Sequence, residues 1–451
     1  MNAVFGLLLC LLITGPVQAL TITEEKKVGK ELYDKLEKHG HLERNPRIEN
    51  YITKLGNHLL AQSNPIFDFR FSVVKNSGVN AFATPGGYVY IFRGLIDLVE
   101  NESELAGVLA HEIAHANARH IASITARAGR INLATMAAML AGALFGGGGQ
   151  ATAAIAAMTM ATATHMNLQY RREHEEEADR LGMAYLVQSA YDGNAIVNFL
   201  KIMRRYEFYS SSIPSYFLTH PGTDERIRYL DGLLQTTYRH QSGKGSILGG
   251  LKRVQAILAL DNKNLDVTLR KYEEALMKNP HDVDVLYGLA LVQEKTGAIA
   301  SALENFQKAL RLAPEDEDII RDAGIAHFRA SRSEEAARLL RKAYELNSDN
   351  EMTLSWLARA YEASGDYNSA VALYRKLEAR KIDDVDIYYN MAMTLGRTNH
   401  PGDSHYYFGR FFKEKNRKDS ALFHYRAALP YFPKDSERAI EIDKEIKALT
   451  K

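Results

Sequence analysis

His111-Glu112-Ile113-Ala114-His115, followed about sixty residues later by Glu175-Glu176-Glu177-Ala178-Asp179, ties two distant stretches of the chain to one geometry. On a helix, residues four apart share a face, so His111 and His115 can offer two imidazoles to one metal ion. Glu112 lies roughly 100° around the helix from His111, beside an open coordination position rather than in it. A carboxylate there can take a proton from a metal-bound water, so the pattern points to metal-assisted hydrolysis of a peptide bond. Leu105, Val108, Leu109 and Ile113 recur at helical spacing around the motif, which predicts a core-packed amphipathic helix.

Zinc on two histidines needs a third protein ligand and a free fourth position for water. The HExxHxxGxxH arrangement does not supply it, because Ala118 and Ile121 stand at its Gly and His positions and His120 is one residue out of register. His120 therefore reads as a surface helical histidine. A better donor lies in the stretch from Tyr170 to Gly182, where Glu175 precedes Asp179 by one helical turn and both carboxylates share a face. Glu175 can bind the metal while Asp179 accepts the spare N–H of a ligating histidine. His174 is a competing ligand that points about 100° away from Glu175. The plainer alternative is an acidic, solvated helix start, since Glu173, Glu175, Glu176 and Glu177 crowd together.

An HExxH followed by a helix reading ExxAD resembles the gluzincin metallopeptidases, which include the CAAX prenyl proteases and their bacterial relatives. The stretch from Asn80 to Ile91 is similar to that family's strand and turn before the active-site helix, and Thr219-His220-Pro221 with Arg226 is similar to its late segment. The resemblance implies one Zn²⁺ per chain on His111, His115 and Glu175, with Glu112 as general base and Asp179 as the carboxylate behind a ligating histidine. It also implies that His220 belongs to the active site, either touching the metal in a resting state or stabilising the oxyanion. Read on its own, His220 is a loop histidine before a proline.

The chain has 451 residues, which predicts two domains. Its 56 basic residues balance 55 acidic ones, so nothing in the charge suggests nucleic acid as a partner. The first residues form a short apolar run ending in Val17-Gln18-Ala19, the pattern of a signal peptide cleaved after Ala19, although the expected leading Lys or Arg is missing. The run is too short to span a bilayer, which needs about 20 apolar residues. The single cysteine, Cys10, falls within it, preceded by Leu9 where a lipid-anchor site would want a small residue. A mature chain without cysteine is compatible with an oxidising compartment, because a domain of this size has a core and needs no disulfide.

Amphipathic helices are expected over Glu24–Lys38 and Pro46–Gln62, and strands over Phe67–Val73 and Tyr88–Phe92, the second after a Pro85-Gly86-Gly87 turn. Residues 131–160 read as an apolar helical hairpin around Gly146–Gly149, able to pack on the core, cover the site or make peripheral membrane contact. After a linker at 243–250, a 34-residue period sets in. Ala302, Phe306 and Ala309 recur as Ala336, Leu340 and Ala343, then as Ala370, Tyr374 and Leu377. This is the signature of tetratricopeptide repeats, whose stacks present a concave surface to peptides or helices of a partner. The later step from Ala370 to Ala421 is 51 residues, so one irregular unit is expected near Val385–Pro401. Tyr388, Tyr389, Tyr406 and Tyr407 around it are candidates for a binding surface.

The expected architecture is mainly α: a signal peptide (1–19), an α+β zincin metalloprotease domain (20–242), the linker (243–250), and a tetratricopeptide solenoid (251–451). This order resembles the exported, repeat-bearing gluzincins of Gram-negative bacteria. The resemblance implies a periplasmic zinc endopeptidase, associated with the outer membrane, that degrades misfolded or stalled outer-membrane proteins and touches their assembly machinery through the repeats. The competing expectation is a periplasmic chaperone or assembly scaffold with a latent or little-used protease site.

Overall fold

The computed structural model describes residues 20–127, 168–209, 216, 219–262, 264–380 and 385–450. The expected signal peptide and the apolar insert 131–160 lie outside the described residues. The chain divides into two compact units between Leu258 and Ala259.

The first unit begins with α1 (Ile22–Lys38) and α2 (Pro46–Leu60). Thr21 and Glu24 cap α1 reciprocally, and Asn45 followed by Pro46 starts α2, so both boundaries are written in local sequence. Their apolar faces (Val28, Leu32, Leu36; Ile52, Leu55, Leu59) are buried. Three short strands follow: β1 (Arg70–Val74), β2 (Ala81–Thr84) and β3 (Tyr88–Phe92). β3 is central, parallel to β1 and antiparallel to β2. The turn between β2 and β3 works because Gly86 and Gly87 take φ of +84° and +87°, values that side chains rarely allow.

After the short α3 (Arg93–Leu98) comes α4 (Glu102–Asn117), the helix that carries the HExxH motif. Asn101 caps it, with Oδ1 accepting from the Glu104 N–H at 3.1 Å. α4 is buried around almost its whole circumference, unlike the one-sided helix that the periodicity suggests. It lies against α6 (Leu168–Gln188) and α7 (Asn194–Tyr209), as well as α2 and β2. α5 (His120–Arg127) follows it, and α8 (Thr223–Gln235) packs on α6 and α7.

Residues 243–250 are tied to this unit. The buried Glu102 carboxylate accepts the N–H groups of Ile247 and Leu248, both at 2.8 Å, and the Tyr191 hydroxyl at 2.9 Å. The next helix, α9 (Leu251–Ala259), is held by Gln255, whose amide donates to the Ile96 and Val99 carbonyls. The stretch reads as a linker because half of its residues are glycine, but the Ile247 and Leu248 N–H groups are satisfied by a carboxylate that is distant in sequence.

The second unit is a succession of helices, from Asp266–Lys278 to Glu437–Thr450, each packed on its successor. The small residues of the 34-residue period sit at helix contacts, with Ala302, Ala309, Ala336, Ala343 and Ala370 fully buried. In the irregular region, helix Asp386–Arg397 touches Glu351–Ser364, as alternate helices do earlier in the stack. Pro401–Glu414 and Lys418–Ala428 continue it, and the buried set Ala421, Tyr425 and Ala428 falls on the latter. Packing thus runs on unbroken while the sequence signature shifts by one helix. Of the four tyrosines suggested as a binding surface, Tyr406 and Tyr407 are buried and donate to Glu441 and Glu378, and Tyr389 is the exposed one. Their hydroxyls explain the misreading: a buried tyrosine with a carboxylate partner looks the same in sequence as a surface one.

Candidate metal centre

The two helices that carry the motifs meet at a glycine. Gly182 of α6 backs onto α4 so closely that an added Cβ would lie 3.0 Å from the backbone N and Cα of His111. This approach brings Glu175 and Asp179, on one face of α6, against the histidines of α4. Gly182→Val should destabilise the first unit by about 1–3 kcal/mol through overpacking. It should also weaken metal binding, with Gly182→Ala milder in both; urea unfolding and chelator competition measure the two effects.

His111, His115, Glu175 and His220 each offer one ligand atom, and these atoms all lie within 4.8 Å of one another. His111 Nε2 stands 3.0 Å from His115 Nε2, 3.3 Å from His220 Nδ1 and 3.4 Å from Glu175 Oε2. One imidazole nitrogen cannot satisfy three such neighbours by hydrogen bonding, since it carries either one hydrogen or one lone pair. A cation at the common point would satisfy all four, and three imidazoles with a carboxylate are a donor set suited to zinc. Glu112 is buried beside this group without belonging to it, and its Oε1 lies 3.3 Å from His220 Nε2.

His220 arrives from a different part of the chain. Its N–H donates to the Tyr216 carbonyl at 2.8 Å, and its ring lies 4.6 Å from that of Tyr216. Two residues on, Gly222 opens α8, whose first turn carries Arg226. Arg226 is buried and grips Asp179 with two donors, Nε to Oδ2 at 2.8 Å and Nη2 to Oδ1 at 2.7 Å. Its Nη1 lies 3.1 Å from Glu175 Oε2. Asp179 Oδ1 is also 3.0 Å from His111 Nδ1, the arrangement that orients a ligating histidine. His174, the competing ligand, is not among the clustered donors; its ring stacks on His120 at 4.1 Å.

These contacts set the charge states. Burial works against the Asp179 carboxylate, but the Arg226 charge and the His111 hydrogen bond outweigh it and hold its pKa low. Burial likewise opposes ionisation of Glu175, but the neighbouring His220 and Arg226, with the hydrogen bond to His111, keep it well below the usual carboxylate range. Burial and Arg226 oppose a charge on His111, but hydrogen bonds with Asp179 and Glu175 prevail and raise it to about 9. Burial takes His115 down to about 3. The carboxylates are therefore anionic and ready to bind a cation at neutral pH.

Two functional neighbours escape a reading of the sequence. Arg226 enters there only as part of a resemblance, and its clamp on Asp179 and Glu175 has no local signature. His120, read as a surface histidine, is 3% exposed, and its Nδ1 lies 2.8 Å from His115 Nδ1. The cause is a break after α4: Arg119 takes φ of +54°, so His120 begins α5 and turns inward. A continuous helix would put His120 roughly 140° around from His115.

Residues 43–234 match the family model described as Peptidase family M48, and 253–317 and 327–395 match two tetratricopeptide-repeat models. The beta-barrel assembly-enhancing protease of Escherichia coli (strain K12) is 26% identical over 384 residues, covering 82% of this chain and 76% of that protein. That of Yersinia pestis is 33% identical over 247 residues, covering 49% of this chain and 51% of that protein, so the chain spans about half of that relative. The mitochondrial metalloendopeptidase OMA1 of Schizosaccharomyces pombe is 31% identical over 159 residues, covering 35% of this chain and 44% of that protein. Joined to the geometry of the clustered donors, these matches show that the chain carries a peptidase family M48 domain followed by tetratricopeptide repeats.

Proposed function

We propose that the protein is a zinc-dependent endopeptidase that cleaves unfolded protein chains, with His111, His115 and Glu175 as the zinc ligands. The observation that carries this reading is the convergence of those three donors with Glu112 buried beside them rather than among them. Zinc, when bound, supplies a Lewis acid that polarises the scissile carbonyl and acidifies the attacking water. Glu112 takes the proton of that water and delivers it to the leaving amine. Asp179 holds the His111 ring by its Nδ1 hydrogen, and Arg226 keeps Asp179 and Glu175 anionic. Among the described residues β2 is an edge strand that lies against α4, and a sheet edge at that place suits main-chain pairing with an extended substrate.

His220 reaches the donor group with Nδ1 and faces Glu112 with Nε2, so it stands where water or a substrate carbonyl must enter. This favours a resting role for His220 over oxyanion stabilisation: with a metal held by His111, His115 and Glu175, His220 would stand where the attacking water is needed and would have to move aside for turnover. His220→Ala should then raise cleavage of an unfolded substrate at equal zinc content. A fall in rate would assign it to the oxyanion instead.

The same closed arrangement supports a second reading, a chaperone or scaffold with a structural zinc, because such sites are closed by four protein ligands. The buried Glu112, which a purely structural site does not need, weighs against it. The relatives' names speak of beta-barrel assembly, which supports a role with outer-membrane proteins and contact of the repeats with their assembly machinery; the N-terminal pattern supports a periplasmic location. Among the described residues, no helix is long and apolar enough to cross a membrane. Exported and non-exported chain, separated by cell fractionation, would test the location.

A further inference from the structure

His120 is poised behind the second of the two motif histidines. Its Nδ1 lies 2.8 Å from His115 Nδ1, and its Nε2 lies 3.2 Å from Glu177 Oε2. Its ring is stacked at 14° on that of His174, 4.1 Å between centroids, which fixes the plane in which it can accept or donate. Glu177 and His174 belong to α6, the helix that also supplies Glu175 and Asp179.

Two ring nitrogens at that distance need one hydrogen between them, so one imidazole donates and the other accepts. Glu177, a carboxylate, only accepts, which places the hydrogen of a neutral His120 on Nε2 and leaves a lone pair on its Nδ1. His115 must then carry its hydrogen on Nδ1 and present a lone pair from Nε2, the nitrogen that faces His111 and Glu175. With the opposite arrangement, His120 donating from Nδ1, the His115 hydrogen would sit on Nε2 and point into the donor group, where it would block ligation. His111 obtains the same result directly, from Asp179 on its Nδ1.

We propose that His120 is a positioning residue that, anchored by Glu177, selects the tautomer and orientation in which His115 binds the metal. Helix α6 thereby controls the outer nitrogens of both motif histidines, one through Asp179 and the other through the pair Glu177 and His120. The proposal rests on the reading of the site as a zinc centre.

Leu and Asn have nearly the same shape, and the Asn side-chain oxygen can take the place of the accepting nitrogen. Zinc affinity is measured on the whole chain by competition with a chromophoric chelator, and ligand geometry by the visible spectrum of the cobalt-substituted protein. His120→Leu should bind zinc about 10–100-fold more weakly and shift the cobalt bands. His120→Asn should recover most of the affinity. Equal losses in Leu and Asn variants would reduce His120 to packing and overturn the proposal, as would wild-type affinity and bands in both. Should His120→Leu not fold, Glu177→Ala, on the half-exposed outer end, carries the test: a smaller loss with shifted bands is expected, and unchanged affinity and bands overturn it. A wild-type chain that binds neither zinc nor cobalt refutes the zinc reading itself, a result distinct from equal binding by wild type and variants.

Discussion

Glu112→Gln should lower kcat/KM for an unfolded protein substrate by about 10²–10⁴-fold, the usual contribution of a positioned general base. Metal content should stay at the wild-type level, because the Glu112 carboxylate is not among the clustered donors. The amide matches the carboxylate in shape but cannot accept the proton of the attacking water. Glu112 is 1% exposed, so Gln also removes a buried charge, and the fold should be as stable or more so. Proteolysis assayed beside metal analysis and thermal unfolding separates these effects. Loss of metal together with activity would mean that Glu112 is a ligand and that the base lies elsewhere.

Arg226→Met should have the largest effect on stability of any single change near the site. The side chain is buried, and among the described residues it alone brings a permanent positive charge within ion-pair distance of both Asp179 and Glu175. Removing it leaves two buried carboxylates without that charge, and breaking a buried pair in this way costs about 3–5 kcal/mol. Urea unfolding of the whole chain should show the first unit melting earlier. Zinc affinity should fall as well, since a Glu175 pushed toward its neutral form is a poorer ligand. Arg226→Lys should recover only part of both, because an ammonium cannot reproduce the two-pronged grip on Asp179. In a double-mutant cycle with Asp179→Asn the losses should be strongly non-additive. Additive losses would mean that the clamp is not a coupled unit.

What the sequence makes legible here is what one helix decides by itself. The four-residue spacings of His111 with His115 and of Glu175 with Asp179 fix faces without knowledge of the rest of the fold. The 34-residue period does the same for the second unit, because each copy buries the same small residues. Meetings set by tertiary structure are not legible. Arg226 lies 47 residues from Asp179, and a charged residue in the first turn of a helix reads as solvated until its partner is known. His120 turns inward through a single left-handed residue, Arg119, which nothing in its side chain announces. The 243–250 stretch looks like a linker by composition, but Glu102, at the start of the motif helix, holds its backbone. His220 falls between these cases: its neighbourhood suggests the site, and only its placement opposite Glu112 favours a role as an occupant that must leave.

That one zinc ion held by His111, His115 and Glu175 makes this chain a peptidase is tested most directly by titrating chelator-stripped protein with zinc while cleavage of an unfolded substrate is followed. No cleavage is expected without metal, then a linear rise to one equivalent per chain and a plateau beyond it. Cleavage that persists in the stripped protein, or that stays absent at full zinc occupancy even in His220→Ala, would contradict it.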